Sequence, residues 1–331
     1  MKRFLCFVGV LGVLVFGMKI GAGIASADGL SRAPINPEFE EYMHQLQIKK
    51  PPLLFTKEGY YLGFVPPPVD MSHTKGVGVF PRKLLQSYPT SYDLRALGRV
   101  APVKDQGACG SCWAFATYSS LESWFLSKHG TETWDFSENN LKNRHGFNWA
   151  HCDGGNHFIS TAYLARWSGP IAESDDPYNP ASGFSPSGLK EKKHLGTVLM
   201  IPVRSGPLDN DNIKQAVMDY GAMYTSMYYG STYFNSTYKS YYYSGGANSN
   251  HAVAIVGWND NFPKTNFNSP NPSGNGAWIV RNSWGTGWGE SGYFYISYYD
   301  TKIGKDNASF INAQDPNSTN YQYDPLGIVT K

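Results

Sequence analysis

The amino-acid sequence predicts an α+β fold, because helical patterns come before residue 170 and strand patterns dominate the last third. The chain has 331 residues, of which 41% are hydrophobic, so it can bury a sizeable core and is not disordered as a whole. Only 16% of the residues are charged, whereas Gly (35), Pro (21) and Tyr (23) are numerous. This composition favours a loop-rich, strand-bearing exported protein over a helical bundle.

The charge balance excludes one functional class. Lys and Arg total 28 against 26 Asp and Glu, which gives a net charge of +2, and there is no run of five or more basic residues. Proteins that bind nucleic acids by neutralising phosphates carry a concentrated basic surface. We therefore expect no nucleic-acid partner.

The first 27 residues predict export. The basic start Met1–Arg3 is followed by an apolar run, Phe4–Met18, and by the small residues Ala25–Ala27. This order is typical of a secretory signal peptide, and an apolar run of 15 residues is shorter than the roughly 20 that a membrane-spanning helix needs. We therefore expect cleavage after Ala27 and a protein that is secreted into the medium or held at the cell surface.

Residues 28–87 differ from the rest of the chain in their hydrophobic pattern and in their runs of proline. Asn36–Glu38 is a good helix start, and apolar residues then recur at helical spacing as far as Leu46. The proline runs at 51–52 and 66–68 favour extended backbone. From the residues alone, this stretch is a linker, an N-terminal arm or a pro-segment that lies across a groove.

The remaining residues are predicted to form a compact domain. A helix is expected to begin near Ser111 and to run towards Leu126, where Lys128, His129 and Gly130 end it. The further elements are a helix over 156–167, a Tyr-rich amphipathic β surface over 224–243, strands over 252–258, 277–280 and 292–296, and an exposed loop over 259–276.

The cysteine count predicts one disulfide and one free thiol. Four cysteines occur, at Cys6, Cys109, Cys112 and Cys152. Cys6 leaves with the signal peptide, so an odd number remains in an oxidising compartment. The C-G-S-C motif at 109–112 has three interpretations: a redox dithiol, half of a zinc site completed by His151 and Cys152, or a structural cysteine beside a catalytic one.

Four separate motifs carry a resemblance to a known family. They are Gln106–Trp113 (QGACGSCW), Cys152–Gly155 (CDGG), Asn250–Val253 (NHAV) and Asn282–Glu290 (NSWGTGWGE). With these motifs in this order, the chain resembles the papain-like cysteine proteases over about 88–296. The resemblance weighs against the redox interpretation, which requires a pair between Cys109 and Cys112. It also weighs against the zinc interpretation, which leaves His251 and Asn282 without a role.

The resemblance implies a papain-like fold of two subdomains. A helical half would begin at about Gln106 and a β-barrel-like half at about Val198, with the active-site cleft between them. The chain departs from the family pattern at Asn143-Arg144, where many relatives have a further cysteine in a second disulfide.

The resemblance also implies which thiol is free. It pairs Cys109 with Cys152 and leaves Cys112 as the nucleophile of a cysteine-type peptidase that needs no metal and no cofactor. The resemblance leaves endo- and exopeptidase action open; because the sequence has no obvious insertion that would block the cleft, we expect an endopeptidase. Two rival functions remain. A catalytically silent papain-like binding protein would keep the fold but would usually have lost a catalytic residue, and a thiol–disulfide exchanger would pair Cys109 with Cys112.

For catalysis, the resemblance implies a triad and an oxyanion hole. Cys112 at a helix N-terminus beside His251 would rest as a thiolate–imidazolium pair, because the helix dipole and the cationic ring both favour the anion. Asn282 would orient His251, and Trp284 would shield their hydrogen bond from water. Gln106 and the backbone N–H of Cys112 would donate to the oxyanion. The implied reaction is peptide-bond hydrolysis through a thioester.

Gly154-Gly155 resembles the strip with which an extended substrate pairs, and His157 lies close enough in sequence to influence substrate selection. The predicted organisation is a signal peptide (1–27), an inhibitory pro-segment (28–87) and a peptidase domain (88–331). Its pro-segment is similar to that of prokaryotic secreted members, including surface-layer-associated ones. We therefore expect a monomeric zymogen with protein or peptide substrates, its own pro-segment as inhibitor, and association with the cell surface or release from it.

Overall fold

The computed structural model describes residues 33–48, 55–80 and 87–318. From Pro34 onward these residues belong to one compact unit. The predicted signal peptide, residues 1–27, lies outside the described ranges. Within those ranges, no helix combines the length and the apolar character needed to span a bilayer.

Helices and strands both contribute to the described part of the chain, which confirms the predicted α+β class. The α-helices are α1 (Pro37–Ile48), α2 (Cys112–His129), α3 (Glu138–Arg144), α4 (His157–Ala165) and α5 (Asp211–Tyr220). The strands are β1 (Ser91–Asp93), β2 (Thr197–Ile201), β3 (Met223–Met227), β4 (Phe234–Asn235), β5 (Ser240–Tyr241), β6 (His251–Asn259), β7 (Ala277–Arg281), β8 (Tyr293–Ser297) and β9 (Asn307–Ile311).

Helix α2 runs through the interior of the protein. Its side chains are buried without interruption from Cys112 to Phe125, so it has no solvent-exposed face before its last turn. Lys128 and His129 lie in that turn, and Gly130 follows with a φ of +65° that ends the helix. The helix predicted to begin near Ser111 is therefore confirmed.

Two shorter helices begin at polar caps. Ser137 Oγ accepts a hydrogen bond from the backbone N–H of Asn140 (2.9 Å) at the start of α3. Asn156 Oδ1 accepts from the N–H groups of Phe158 (3.0 Å) and Ile159 (3.2 Å) at the start of α4. Helix α4 was predicted from the sequence. Helix α3 was not, because it contains a single apolar residue and has no periodic pattern.

The strands form one mixed sheet. Neighbouring strands follow the order β2-β9-β3-β6-β7-β8-β5-β4, and β1 pairs with β6. The parallel pair is β5 with β8; the other pairs between described strands are antiparallel. The predicted strands over 252–258, 277–280 and 292–296 correspond to β6, β7 and β8.

The sheet does not close into a barrel. The end strands β2 and β4 each have a strand partner on one side only. Strands β4 and β5 are two residues long, so their ladder is too short to carry the sheet round to β2. The half that was expected to be barrel-like is therefore an open sheet.

Two large hydrophobic clusters form most of the core of the described residues, beside a small third one around Phe262 and Phe267. One contains Trp258 and Trp278 together with residues of α5, and the other contains Trp113, Tyr118 and Phe310. Helix α2 packs against β6, β9 and β3. This packing brings the N-terminus of α2 to the start of β6, where the predicted catalytic residues lie.

The Tyr-rich stretch that was predicted to be an amphipathic surface belongs partly to the core. Tyr224 in β3 and Tyr241 in β5 are fully buried, whereas Tyr233 and Tyr238 are 38% and 48% exposed. Alternation between core and solvent is therefore present, but tight turns interrupt the strands.

An N-terminal arm, residues 34–48 and 55–80, packs against the rest of this unit. Ile35 and Val69 pair as an antiparallel bridge, which holds the start of α1 against the proline run. Glu38 in α1 forms an ion pair of 2.7 Å with Lys305. The predicted helix in this stretch is present as α1, although none of its residues is fully buried.

The arm then crosses the N-terminal end of α2. Phe55 and Tyr61 close a hairpin as an antiparallel bridge, and Phe64 pairs with Gly155 in a parallel bridge. We call residues 60–66 the strap. The fold therefore presents its predicted site together with a segment of its own chain laid over it.

Candidate active site

The predicted nucleophile opens the buried helix. Cys112 is the first residue of α2, and its side chain is fully buried. At this place the positive end of the helix dipole faces the sulfur. The backbone N–H of Ala252 donates a hydrogen bond to Cys112 Sγ at 3.4 Å. Because Ala252 follows His251 in β6, this contact brings the sulfur to the start of that strand.

The two other described cysteines, Cys109 and Cys152, are bonded to each other. Cys109 and Cys152 form a disulfide, and Cys112 is the free cysteine of the described residues. This is the pairing that the resemblance implied, and it differs from the pair that a redox dithiol requires. It also occupies two of the sulfurs that a zinc site with His151 would need. No group of three His, Cys, Asp or Glu side chains among the described residues is arranged to hold a metal ion.

His251 and Asn282 come together because β6 and β7 are neighbours. His251 is the first residue of β6, and Asn282 directly follows β7. His251 Nε2 and Asn282 Oδ1 lie 2.8 Å apart, and the backbone N–H of Ser283 also donates to Oδ1 at 2.8 Å. Since Oδ1 is an acceptor, Nε2 carries the proton. Nδ1 is buried, has no hydrogen-bond partner among the described residues and remains available for proton exchange.

Trp284 lies against the imidazole. The rings of His251 and Trp284 stack with centroids 4.6 Å apart and planes 26° apart, and both residues are fully buried. Tyr60 of the strap also stacks on Trp284, with ring centroids 5.2 Å apart and ring planes 12° apart. The indole therefore lies between the imidazole and a phenol ring, and water has no access to the hydrogen bond between His251 and Asn282.

Gln106 is buried, and its amide is held at both ends. Its Nε2 donates to the carbonyl oxygens of Cys109 (2.8 Å) and Tyr61 (2.7 Å). Its Oε1 accepts from Ser283 Oγ at 2.6 Å, and its backbone N–H donates to the Ser283 carbonyl at 2.8 Å. The amide that was predicted to donate to an oxyanion therefore donates to a carbonyl oxygen of the strap, and its role in catalysis stays a prediction.

Ser283 is a residue of the site that the sequence analysis missed. Its hydroxyl fixes which end of the Gln106 amide is the donor, and its backbone N–H fixes the Asn282 amide in the same way. The sequence signal that could have identified Ser283 was its position between Asn282 and Trp284 in the motif. Serine is common in loops, so this signal did not identify its role.

The strap binds to the site through its main chain. Gly155 N–H donates to the Gly63 carbonyl (2.9 Å), and Val65 N–H donates to the Gly155 carbonyl (2.9 Å). On the opposite wall, Phe64 N–H donates to the Asn250 carbonyl at 3.0 Å. An extended peptide is thus held between Gly155 on one side and Asn250 on the other, next to Cys112.

The two glycines of the predicted substrate strip have different structural roles. A Cβ atom on Gly154 would lie 2.6 Å from the Gly63 carbonyl oxygen, so a bare backbone is needed where another chain approaches. A Cβ atom on Gly155 would instead lie 2.5 Å from the ring of Trp113. Packing inside the domain therefore requires glycine at 155, whereas at 154 both the close approach of Gly63 and a φ of +102° favour glycine.

Burial under the strap favours the uncharged forms of Cys112 and His251, the predicted catalytic pair. Burial raises the pKa of Cys112 to about 11, although backbone N–H groups that face the sulfur, among them those of Ala252 and Gly63, act in the opposite direction. Burial lowers the pKa of His251 to about 4, which the hydrogen bond to Asn282 offsets in part. The thiolate–imidazolium pair expected from the sequence is therefore not favoured while the strap is bound.

His157, which the sequence placed near the substrate strip, is an interior residue. It is the first residue of α4, it is buried, and its ring packs against Phe158 (4.7 Å) and Tyr224 (5.4 Å). Burial lowers its pKa to about 3, so it is neutral. Its part in substrate selection stays a prediction.

The stretch at Asn143-Arg144, where a second disulfide was missing, is held by polar contacts. Asn143 Nδ2 donates to the Phe184 carbonyl (2.8 Å) and to Ser185 Oγ (3.0 Å). The Arg144 guanidinium donates to the Ser185 carbonyl. Hydrogen bonds thus anchor the loop that carries Phe184 and Ser185.

Comparisons with known proteins agree with this geometry. Residues 88–312 match the sequence profile described as papain family cysteine protease. The viral cathepsin of Choristoneura fumiferana nuclear polyhedrosis virus is 33% identical over 229 residues, which cover 63% of this chain and 59% of the relative. This chain therefore spans less than two thirds of the length of that curated relative.

Solved structures of one bacterial protein are also similar. The cysteine protease and lectin-like domains of Cwp84, a surface layer associated protein of Clostridium difficile, align with a TM-score of 0.71 and 32% identity, covering 88% of this chain and 62% of that one. Clostridial Cwp84 after propeptide cleavage aligns with a TM-score of 0.62 and 35% identity, covering 68% and 58%. With a profile match over most of its length, and with a free cysteine, a histidine and an asparagine brought together as described, the chain belongs to the papain family of cysteine proteases.

Proposed function

We propose that the chain is an exported cysteine peptidase that is made as a zymogen and hydrolyses peptide bonds through a thioester. One observation carries the proposal: the free Cys112 at the start of a buried helix lies beside a His251–Asn282 pair with a 2.8 Å hydrogen bond. The position of Gln106 next to this pair supports acyl transfer, because its amide supplies a fixed donor for an oxyanion.

In the first half-reaction, the sulfur of Cys112 attacks the peptide carbonyl carbon. A C–S bond forms, and negative charge moves to the carbonyl oxygen. This oxygen accepts hydrogen bonds from Gln106 Nε2 and from the backbone N–H of Cys112. The C–N bond then breaks as His251 donates its proton from Nδ1 to the departing amine. The products are a free amine and a thioester on Cys112.

In the second half-reaction, water replaces the amine. Neutral His251 takes a proton from the water at Nδ1, and the resulting hydroxide attacks the thioester carbon. The C–S bond breaks, a carboxylic acid leaves, and the proton on His251 restores the resting pair with Cys112. Asn282 holds the imidazole in the orientation needed for both steps.

The segment 28–87 is proposed to act as an inhibitory pro-segment. The strap supports this role, since its carbonyl at Tyr61 binds the Gln106 donor and its main chain pairs with Gly155. The two Cwp84 alignments agree: the structure after propeptide cleavage covers 68% of this chain and the other covers 88%. Removal of the pro-segment would open the site to substrates.

Endopeptidase action is supported by the path of the strap. The described chain continues on both sides of the strap. The described range that contains the strap begins at Phe55, before Tyr60, and extends beyond Pro66 to Pro68 and further. A cleft through which a chain can pass at both ends accepts the interior of a polypeptide. We therefore propose that the substrates are proteins or peptides and that the enzyme cleaves their internal peptide bonds rather than bonds at the chain ends.

Export is proposed from the signal-like residues 1–27, and the peptidase domain is proposed to occupy 88–331. The surface-layer association that is printed for Cwp84 supports a place at the cell surface or release from it. We propose a monomer that acts without a metal or cofactor.

The proposal is tested on the intact chain and on the protein from which residues 28–87 have been released after folding. The released form is expected to cleave members of a quenched fluorescent peptide library, and iodoacetamide is expected to block this cleavage. The intact chain should be slower by at least tenfold. Peptide binding without cleavage would instead identify a catalytically silent binding protein, and equal rates in both forms would reduce residues 28–87 to a linker.

A first prediction concerns Ser283 as a positioning residue. In the released form, Ser283→Ala is expected to lower kcat about tenfold with little change in KM, because the Gln106 amide loses the partner that orients it. Gln106→Ala is expected to lower kcat by roughly 10²- to 10³-fold. The two are measured as a double-mutant cycle.

The cycle separates positioning from a general loss of structure. In the Gln106→Ala background, Ser283→Ala should cause little further loss of kcat, because its effect acts through that amide. An equal tenfold loss in both backgrounds would show that Ser283 acts in some other way.

A second prediction concerns the pH dependence of alkylation. Only the thiolate reacts, and in the intact chain burial raises the pKa of Cys112 to about 11. Its alkylation rate should therefore be low at neutral pH and should rise about tenfold per pH unit towards pH 11. In the released form, the helix dipole and His251 favour the anion, so the inflection should fall below the free-thiol value of about 8.5. Mass spectrometry of the alkylated protein gives both rates, and identical pH profiles would contradict the prediction.

A further inference from the structure

The residue before the proposed nucleophile does not cap its own helix. Ser111 is the N-cap residue of α2, and a serine at this position usually accepts a hydrogen bond from an N–H group of the first turn. The Ser111 side chain makes no such hydrogen bond. Its buried hydroxyl lies instead 2.6 Å from the phenol oxygen of Tyr178. Tyr178 therefore takes the group that would otherwise bind the start of α2.

The directions of the hydrogen bonds follow from the second partner of Tyr178. Its hydroxyl lies 2.8 Å from the carbonyl oxygen of Gln106, and a carbonyl oxygen can only accept. The single phenol hydrogen is therefore donated to Gln106. The Ser111 hydroxyl must then donate to the phenol oxygen. A chain of two hydrogen bonds thus runs from Ser111 through Tyr178 to the main chain of Gln106.

Packing holds the ring of Tyr178 in place. Phe115 of α2 meets this ring edge-on, with centroids 4.9 Å apart, and Lys142 Nζ lies 5.7 Å from the ring centroid. The backbone N–H of Tyr178 donates to Glu173 Oε1 at 2.6 Å. Phe115, Lys142 and Glu173 lie outside the strap, so these contacts remain when the strap leaves.

The phenol connects the two places from which the proposed oxyanion donors project. Gln106 would donate through its side-chain amide, and Cys112, which follows Ser111, would donate through its backbone N–H. The backbone N–H of Gln106 is already held by the Ser283 carbonyl at 2.8 Å. Tyr178 holds the carbonyl of the same residue. Because small displacements of catalytic groups cost large factors in rate, the loss of this second anchor should weaken oxyanion binding.

The same hydrogen bonds affect the nucleophile. The backbone N–H groups of Cys112 and Trp113 face the Cys112 sulfur and favour its anion. A Ser111 hydroxyl that is released from Tyr178 is free to rotate and to accept from the N–H of Trp113, as an N-cap serine usually does. It would then compete with the sulfur for that N–H group. Tyr178 thus reserves the start of α2 for the nucleophile.

We propose that Tyr178 is a positioning residue of the active site, whose hydroxyl anchors the main chain of Gln106 and keeps Ser111 from capping α2. The inference rests on the proposed peptidase function and adds to it a residue that acts through its neighbours. Because Tyr178 touches none of the reacting atoms, its effect is expected in kcat and in thiolate formation rather than in KM.

The test compares Tyr178→Phe with the parent protein in the released form. This variant keeps the ring and loses the hydroxyl. We expect kcat to fall about tenfold, with less than about a twofold change in KM. The alkylation rate of Cys112 at pH 7 should fall about threefold, because thiolate formation moves to higher pH. Thermal unfolding of the same samples shows that the variant is folded.

A second variant separates the two effects of the hydroxyl. Ser111→Ala removes the group that would cap α2, so its addition to Tyr178→Phe should return the alkylation rate to within about twofold of the parent rate. In this double variant kcat should stay low, because the Gln106 carbonyl still lacks its donor. A purely structural role of Tyr178 would not restore one readout without the other.

Tyr163→Phe is the matched control, because it also removes a buried phenol hydroxyl, one that donates to Asn140 Oδ1 in α3 at 2.6 Å. It should leave kcat and the alkylation rate unchanged. Parent values of kcat and alkylation rate in Tyr178→Phe, or equal losses in Tyr163→Phe, would overturn the inference and leave the peptidase intact. Absence of cleavage by the parent protein would instead refute the proposed function, while the alkylation rates would still test the effect of Tyr178 on the thiolate.

Discussion

Replacement of Cys112 by alanine is expected to abolish peptide cleavage by the released enzyme, with a loss in kcat on the order of 10⁴-fold or more. The reason is that the C–S bond of the thioester cannot form, and no other cysteine is free in the described part of the chain. Initial rates on the best library peptide measure the loss. Mass spectrometry should also show that the acyl-enzyme seen with the parent protein is absent.

The variant must be shown to keep its fold. Cys112 is buried, and its sulfur accepts weak hydrogen bonds from backbone N–H groups, among them that of Ala252 at 3.4 Å, so thermal unfolding should shift by no more than a few degrees. Ser127→Ala is the matched control, because it removes one heteroatom from the far end of the same helix, where the hydroxyl has no partner among the described residues. It should retain full activity. Cleavage that persisted in the Cys112→Ala protein would disprove the proposed nucleophile.

Alanine at position 63 is expected to give an intact chain that has lost its latency. A Cβ atom on Gly63 would lie 2.2 Å from the Gly110 carbonyl oxygen and 2.3 Å from two further backbone atoms of Gly110. Gly110 stands between the disulfide-bonded Cys109 and the start of α2, so it cannot move away. The strap must therefore lift from the site, and the uncleaved chain should be at least tenfold more active than the parent zymogen.

The control for this variant lies in the same segment. A Cβ atom on Gly78 would meet no other heavy atom within 4 Å, and the φ of Gly78 is not positive, so Gly78→Ala should leave latency unchanged. Gel electrophoresis during the assay shows that the chains remain uncleaved. If Gly63→Ala were as inactive as the parent zymogen, the strap would not be what blocks the site.

The three residues proposed as a triad could be located from the sequence because each lies in a short contiguous motif. Cys112 opens a helix that the sequence indicates by its C-terminal signals, and His251 and Asn282 adjoin apolar strands that are long enough to recognise. Once these elements are in place, neighbouring strands and one packed helix bring the side chains together. The local pattern therefore contained most of the information about the site.

A segment within 28–87 was expected to lie across the site, but the contacts by which the strap covers it could not be predicted in the same way. Tyr61 and Gln106 are 45 residues apart, and the sequence between them gives no sign that a carbonyl of one will meet the amide of the other. The role of Gly63 depends on an approach of two backbones, which has no periodic signature. Similarly, Ser283 and Gln106 meet across 177 residues.

The polar interior also escaped prediction. In α3, Glu138, Asn139, Asn140 and Lys142 are buried although none is apolar. Their partners come from distant segments: Asp176 accepts hydrogen bonds from Asn139 (2.7 Å) and Asn140 (2.9 Å). Hydrophobic periodicity detects helices whose buried face is apolar, and this helix buries amides and charges instead.

The bond between Cys109 and Cys152 has a consequence for how such an enzyme responds to reductants. It is the disulfide of the described chain, and it lies three positions from the nucleophile. A mild thiol reagent keeps Cys112 from being oxidised, whereas a strong one also cuts the crosslink that steadies the Gln106–Cys109 contact. Activity should consequently pass through a maximum as the reducing power of its surroundings increases. Oxidation of the Cys112 thiol would set the lower limit of that range, and reduction of the Cys109–Cys152 disulfide would set the upper limit.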